Sequence, residues 1–151
     1  MFRFGIMATI IFFIDQLSKW LIVRFLELYK TITIIPGVNL QLAFNKGAAF
    51  GFLANSSGWQ RLFFIVLAIL VSGSIIFWLK KLSKKNFWEG IALTNILGGA
   101  LGNLFDRIRF GYVIDFIDVY YHDWHWYTFN IADSAICIGT FILMLTLLKK
   151  T

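Results

Sequence analysis

The chain has one cysteine, one proline, two histidines and only eight acidic residues, and each scarcity closes off a class of chemistry. Cys137 alone can form no intrachain disulfide and no cysteine-built metal cluster. It lies inside an apolar run and reads as a small hydrophobe, in the core or facing lipid. The histidines, His122 and His125, fall in His122-Asp123-Trp124-His125. That is not the His-Glu-x-x-His pattern of a zinc peptidase, and loop histidines beside tryptophan read as interfacial. Gly-x-Ser-x-Gly is absent, which leaves a serine nucleophile without support. The Gly-x-Gly-Asp pattern of another intramembrane aspartyl class is absent as well. The solitary proline, Pro36, stands beside Gly37 between two alternating runs.

What the chain has instead is apolar surface. It is 59% hydrophobic over 151 residues with a mean hydropathy of +0.75, against about 45–50% for a soluble domain. The excess comes in blocks. Residues 62–79 carry no charge between Arg61 and Lys80, 90–105 are uncharged and glycine-rich, and 134–148 are uncharged. The first block starts at residue 4 and runs through Asp15 to about Val23. Each approaches the ~20 residues that a bilayer core requires. No small-x-small cleavage site follows the first block, so it is expected to be retained.

The formal charge of +6 reads as a topology signal, not as a nucleic-acid footprint. Arg3, Lys80, Lys81, Lys84, Lys85, Lys149 and Lys150 crowd the short connections and termini. Arg24, Lys30, Lys46, Arg61, Arg107 and Arg109 are spread over 24–61 and 106–128. Both termini are therefore expected in the cytoplasm and both long connections outside. Trp59, Trp124 and Trp126 near the outer boundaries, and Trp78 and Trp88 near the inner ones, suit aromatic belts.

The outer connections are patterned. Thr31-Ile32-Thr33-Ile34 and Val38-Asn39-Leu40-Gln41-Leu42 alternate around Pro36-Gly37, which predicts short strands about a turn. Asn45-Lys46-Gly47-Ala48-Ala49-Phe50-Gly51 supplies small residues for close backbone approach. Val113-Ile114-Asp115-Phe116-Ile117 is expected to be extended or to start a short interfacial segment.

Polar groups at the apolar segments carry the functional signal, because a carboxylate at the lipid boundary is costly without a partner or a job. Asp15 and Lys19 are four apart and can pair on one helix face. Gly98 and Gly102 permit close helix packing, in a run that includes Gly99. Asn103 and Arg107 share a helix face that Asp106 leaves; Arg107 reads either as a snorkelling anchor or as a holder of a carboxylate or carbonyl. Asn130 and Asp133 share a face in the first turn of the last span. Asp115 and Asp133, on neighbouring segments, suggest a carboxylate pair that activates water.

Five motifs follow in order between residues 15 and 134: Asp15-Gln16-Leu17-Ser18-Lys19, Asn45-Lys46-Gly47-Ala48-Ala49-Phe50, Gly102-Asn103-Leu104-Phe105-Asp106-Arg107, Val113-Ile114-Asp115-Phe116 and Phe129-Asn130-Ile131-Ala132-Asp133-Ser134. In this order the chain closely resembles bacterial lipoprotein signal peptidase, the type II signal peptidase. Ser18, where threonine is more usual, is a mild departure that keeps the hydroxyl. The resemblance implies a mainly α membrane protein with four transmembrane helices, a small extracytoplasmic β-sheet and an interfacial segment. It would be a single integral membrane peptidase domain over 1–151, with spans near 4–23, 62–79, 90–106 and 129–148 and an outer β region near 31–50. It implies an aspartic endopeptidase of the inner membrane, with its site on the extracytoplasmic side and no cofactor or metal. The substrate would be a prolipoprotein carrying diacylglyceryl cysteine, cut just before that cysteine, and the cyclic peptide globomycin would inhibit. The catalytic dyad maps onto Asp115 and Asp133, with support from Asp15, Lys19, Asn45, Gly99, Asn103, Asp106, Arg107 and Asn130. Two rival classes stand beside it: a small transporter or channel subunit with Asp15, Asp115 and Asp133 on a proton or cation path, and an assembly factor docking through the edge of the outer sheet.

Overall fold

A computed structural model of the chain describes residues 2–47, 58–83 and 85–149. Ala48, Ala49, Phe50 and Gly51, part of the small-residue motif, lie outside the described residues, as do Lys84 and Lys150.

Among the described residues four helices and four strands follow one another: α1 (Phe2–Phe25), β1 (Thr31–Ile35), β2 (Val38–Asn45), α2 (Trp59–Lys81), α3 (Phe87–Arg109), β3 (Val113–Tyr121), β4 (Trp124–His125) and α4 (Ile131–Leu148). The helices α1, α2 and α4 are long and apolar enough to cross a membrane. Their outward side chains are large and exposed, as at Phe13, Leu70 and Phe141, which is the surface of a helix whose solvent is lipid. Helix α3 is different because it is the hub. It packs against α4, α1 and α2 and buries Thr94, Gly98, Gly99, Gly102, Asn103 and Asp106. Protein covers it, so it need not be apolar all round.

Glycine sets the close approach at the hub. A Cβ at Gly98 would meet Ile11 Cβ at 2.8 Å and the Ala8 carbonyl oxygen at 2.9 Å, on α1. A Cβ at Gly99 would collide with the Ala132 carbonyl oxygen on α4, and one at Gly102 would lie 2.5 Å from Asp15 Oδ2. Expected close packing through Gly98 and Gly102 is thus realised on the α1 side, and Gly99 adds the α4 seam. Gly99→Leu is expected to cost about 1–3 kcal/mol by overpacking, read as a lower midpoint of thermal unfolding in detergent, whereas an unchanged midpoint would mean that this seam tolerates separation.

The strands form one antiparallel sheet in the order β1-β2-β3-β4. Alternation around Pro36-Gly37 becomes the β1–β2 hairpin. Proline fixes the first turn position, and Gly37 takes the positive φ of 90° at the second. Val113 to Phe116 is strand, the extended one of the two expectations, and β3 is buried on both faces at its start, so its alternation is hidden there. A bulge between Leu40 and Ala43 in β2 shifts the register, after which Ala43 lies opposite Asp115 and Asn45 opposite Val113.

Candidate active site

The site lies where the start of β3, the end of β2, the last turns of α3 and the first turn of α4 converge. Asp115 projects from β3 and Asp133 from α4, and both line a cavity of about 280 Å³ with Asn45, Asn103 and Arg107. Each carboxylate has a local reason for its place. Asn130 is the N-cap of α4. Its Oδ1 accepts from the Asp133 N–H at 2.9 Å while Asp133 Oδ2 accepts from the Asn130 N–H at 3.3 Å, a reciprocal capping box. Asp115 and Asn45 are diagonal neighbours on one face of the β2–β3 pair, within reach of each other by sheet geometry.

Three asparagines hold the two carboxylates, and the structure fixes which way each amide faces. Asn45 Oδ1 accepts from the Gly47 N–H at 2.9 Å, so its Nδ2 is turned to Asp115 Oδ2 at 3.0 Å. Asn130 Oδ1 is taken by the Asp133 N–H, so its Nδ2 donates to Asp115 Oδ1 at 2.7 Å. Asn103 Oδ1 accepts from Lys19 Nζ at 3.0 Å, so its Nδ2 donates to Asp133 Oδ1 at 2.7 Å. A backbone N–H and an ammonium can only donate, so no amide can flip without opposing two donors.

Behind Asn103 lies a buried ion cluster. Lys19 is 1% exposed and spends its three N–H bonds on Asp15 Oδ2 at 2.8 Å, Asp106 Oδ2 at 2.8 Å and Asn103. Asp15 Oδ1 accepts from the Ala132 N–H at 2.9 Å, in the first turn of α4, and Asp106 Oδ2 accepts from the Ile114 N–H at 3.3 Å, next to Asp115. The cluster therefore ties α1, α3, α4 and β3 together one residue away from each member of the pair. Asp15–Lys19 pairing was legible from spacing; the second carboxylate, Asp106, was not legible as its partner.

Burial pushes the Asp115 carboxyl up to about 7, and the neighbouring Asp133 carboxylate pushes the same way; the donors Asn45 and Asn130, and Lys19, pull against them. Arg107 faces inward and does not snorkel. Its guanidinium lies over the Phe64 ring at 5.1 Å, and Nη2 donates to the Gly47 carbonyl at 2.8 Å. Among the described residues no ion pair joins it to either aspartate of the cavity. Arg61 in turn donates to the carbonyls of Arg107 and Ile108, both at 3.0 Å, capping the end of α3.

All of Asp15, Lys19, Asn45, Asn103, Asp106, Arg107, Asn130, Asp115 and Asp133 are thus brought to one place, whereas Gly99 sits deeper, in the α3–α4 seam, with no part in the cavity wall. Three residues at or near the site were given no role in it by the sequence. Gln16 Nε2 bonds Asp106 Oδ1 at 2.9 Å and Asp15 Oδ2 at 3.1 Å. Cys137, four residues past Asp133 and so one turn further along α4, is exposed, as the lipid-facing expectation allowed, and also lines the cavity, which that expectation did not include though the spacing carried it. His125 bonds Asp118 and is not merely interfacial.

Comparison with known proteins follows the same outline. The family model described as signal peptidase (SPase) II matches residues 7–149. A lipoprotein signal peptidase of Pseudoalteromonas atlantica is 46% identical over 98% of this chain and 90% of its own length, and one of Pseudomonas aeruginosa is 47% identical over 95% and 86%. A solved bacterial membrane enzyme structure superposes with a TM-score of 0.89 at 29% identity, covering 99% of this chain and 89% of that one.

Proposed function

This chain belongs to the signal peptidase II family, an aspartic-type peptidase family, and on that premise we propose that it removes signal peptides from diacylglyceryl-modified prolipoproteins with Asp115 and Asp133 as its catalytic pair. The observation that carries the pair is their shared cavity: two carboxyl groups on separate elements, each held by asparagine donors, with Asp115 raised to about 7 beside Asp133.

Two neighbouring carboxyl groups that resist joint ionisation share one proton and titrate as a unit. The ionised group takes a proton from water, whose oxygen attacks the scissile carbonyl carbon. The protonated group donates to the carbonyl oxygen, and in the collapse of the tetrahedral intermediate the proton taken from water passes to the leaving amine. The asparagines keep both groups aimed at the cavity, and Arg107 and the amides offset charge developing on the carbonyl oxygen. Protein and bilayer lipid then divide the substrate: its acyl chains stay in the membrane and its scissile bond meets the carboxylates at the rim. In this reading all four helices cross the bacterial inner membrane within one peptidase domain spanning 1–151, with both termini cytoplasmic and the sheet and cavity outside.

The test is cleavage of a synthetic diacylglyceryl-cysteine precursor by the purified protein in detergent. The product should begin at the modified cysteine, globomycin should inhibit, and a chelator should change nothing; loss of activity with chelator would refute a metal-free mechanism. A pH profile of kcat/KM adds a signed prediction. Loss of the shared proton makes cleavage fall as pH rises through about 7. Asn45→Ala removes a donor that favours ionised Asp115, so this limb should move to higher pH; an unmoved limb would mean that Asn45 does not act on the pair.

A further inference from the structure

Beyond the carboxylate cavity, and separated from it only by a shared wall, is a second cleft of about 420 Å³ lined by Gln41, Asp118 and His125. Trp126, Tyr127 and Thr128 line both. The wall is anchored at its two ends, by Trp126 N–H to the Val119 carbonyl at 2.8 Å and by Phe129 N–H to the Ile117 carbonyl at 3.0 Å. The two spaces differ in character. The first reaches inward along α4 to Cys137, with Val113 and Phe129 beside it. The second lies on the sheet, away from the helices, and its floor is polar.

That floor is built. Thr33 Oγ1 donates to Asn39 Oδ1 at 2.9 Å, Asn39 Nδ2 donates to Asp118 Oδ2 at 2.8 Å, and Asp118 takes His125 Nδ1 at 2.9 Å on both oxygens. Asp118 is only 2% exposed. With Nδ1 occupied, His125 offers Nε2; with Nε2 bonded to Thr31 Oγ1 at 3.1 Å, Gln41 offers its carbonyl oxygen. Both free groups accept, His125 Nε2 because Nδ1 carries the proton given to Asp118, so they suit the N–H groups of a peptide, and the carboxylate beneath disfavours an anionic headgroup.

We propose that this cleft binds the polypeptide on the far side of the cut, the first residues after the lipidated cysteine, while the apolar signal segment lies toward Cys137. The proposal rests on the peptidase reading and assigns direction to the substrate within it: apolar segment inward, scissile bond at Asp115 and Asp133, polar segment outward past Trp126–Thr128.

The experiment uses two synthetic diacylglyceryl-cysteine peptides with one signal segment, one ending a single residue after the cysteine and the other extended by about six polar residues, enough to cross the cleft at ~3.3 Å each. The expected wild-type preference in kcat/KM for the long peptide is about ten-fold, the yield of one or two hydrogen bonds, carried in KM. In His125→Ala and in Gln41→Ala the long-to-short ratio should fall toward one. Gln41 makes only an exposed contact, so its variant decides the matter if the histidine variant folds poorly. A wild-type ratio near one, or a ratio that survives in the variants, would overturn the subsite. Asp115→Asn alongside separates the two claims: cutting of either peptide by that variant defeats the dyad, whereas abolished cutting there with a preserved ratio in Gln41→Ala defeats only the subsite.

Discussion

Asp115→Asn and Asp133→Asn should each reduce cleavage of a lipidated precursor by about 10⁴-fold or more, since the two groups act as a unit and either loss removes both the shared proton and the base. The amide is nearly isosteric, so insertion and abundance should be preserved. At Asp115 the substitution keeps one oxygen to accept from Asn130 or Asn45, but the amide nitrogen then meets a donor on the other side. The measurement is kcat/KM on the purified variants with unfolding midpoints recorded in parallel. Cleavage within ten-fold of wild type in either variant, with the fold intact, would dismiss the carboxylate pair. Proton flux through liposomes with no peptidase activity would instead favour an ion path through the same aspartates.

The second large effect is on stability. Lys19→Met should lower it by about 3–5 kcal/mol, because two buried carboxylates lose their common cation and Asn103 loses the donor that orients it. Both side chains of the Asp15–Lys19 pair are all but inaccessible to solvent, so screening offers no relief. Neutralising the carboxylates together, as Asp15→Asn, Lys19→Met and Asp106→Asn in one chain, should restore much of that loss, since the cost arises from uncompensated charge. Thermal and denaturant unfolding in detergent read both variants. A Lys19→Met protein as stable as wild type would mean that the cluster contributes nothing net. Full stability with depressed activity would confine Lys19 to orienting Asn103 toward Asp133.

Much of this arrangement was legible before any coordinates, and the remainder was hidden for physical reasons. Alternation around Pro36-Gly37 announced the hairpin, because a two-residue turn leaves a local mark. Uncharged runs announced α2, α3 and α4, because lipid selects for them, and α1 was read through Asp15 from the apolar block that opens at residue 4. The glycine-rich run of α3 announced a span but not a hub, and because the other helices solvate it, it is free to carry Thr94, Asn103 and Asp106. Asp15 and Lys19 advertised their pairing by spacing, yet the link from Lys19 to Asp106 joins separate helices and has no periodicity to betray it. Amide orientation is set by donors elsewhere in the fold, so Asn45, Asn103 and Asn130 could be named but not aimed. Asp118 carries no local signal in the sequence; only the antiparallel register, placing Asn39 opposite it and His125 on the next strand, reveals its role. Cys137 was within reach of inference, four residues beyond Asp133 on the same helix face, and was passed over because a lone thiol in an apolar run reads as a small hydrophobe.

The claim on which the account turns is that Asp115 and Asp133 grip one water between them. A lipid-mesophase crystal structure sharp enough to place solvent tests it most directly. The account predicts a single ordered water within ~2.6–3.2 Å of an oxygen on each side chain, retained at neutral pH. Carboxyl groups turned apart, each solvated separately with no water common to both, would contradict it.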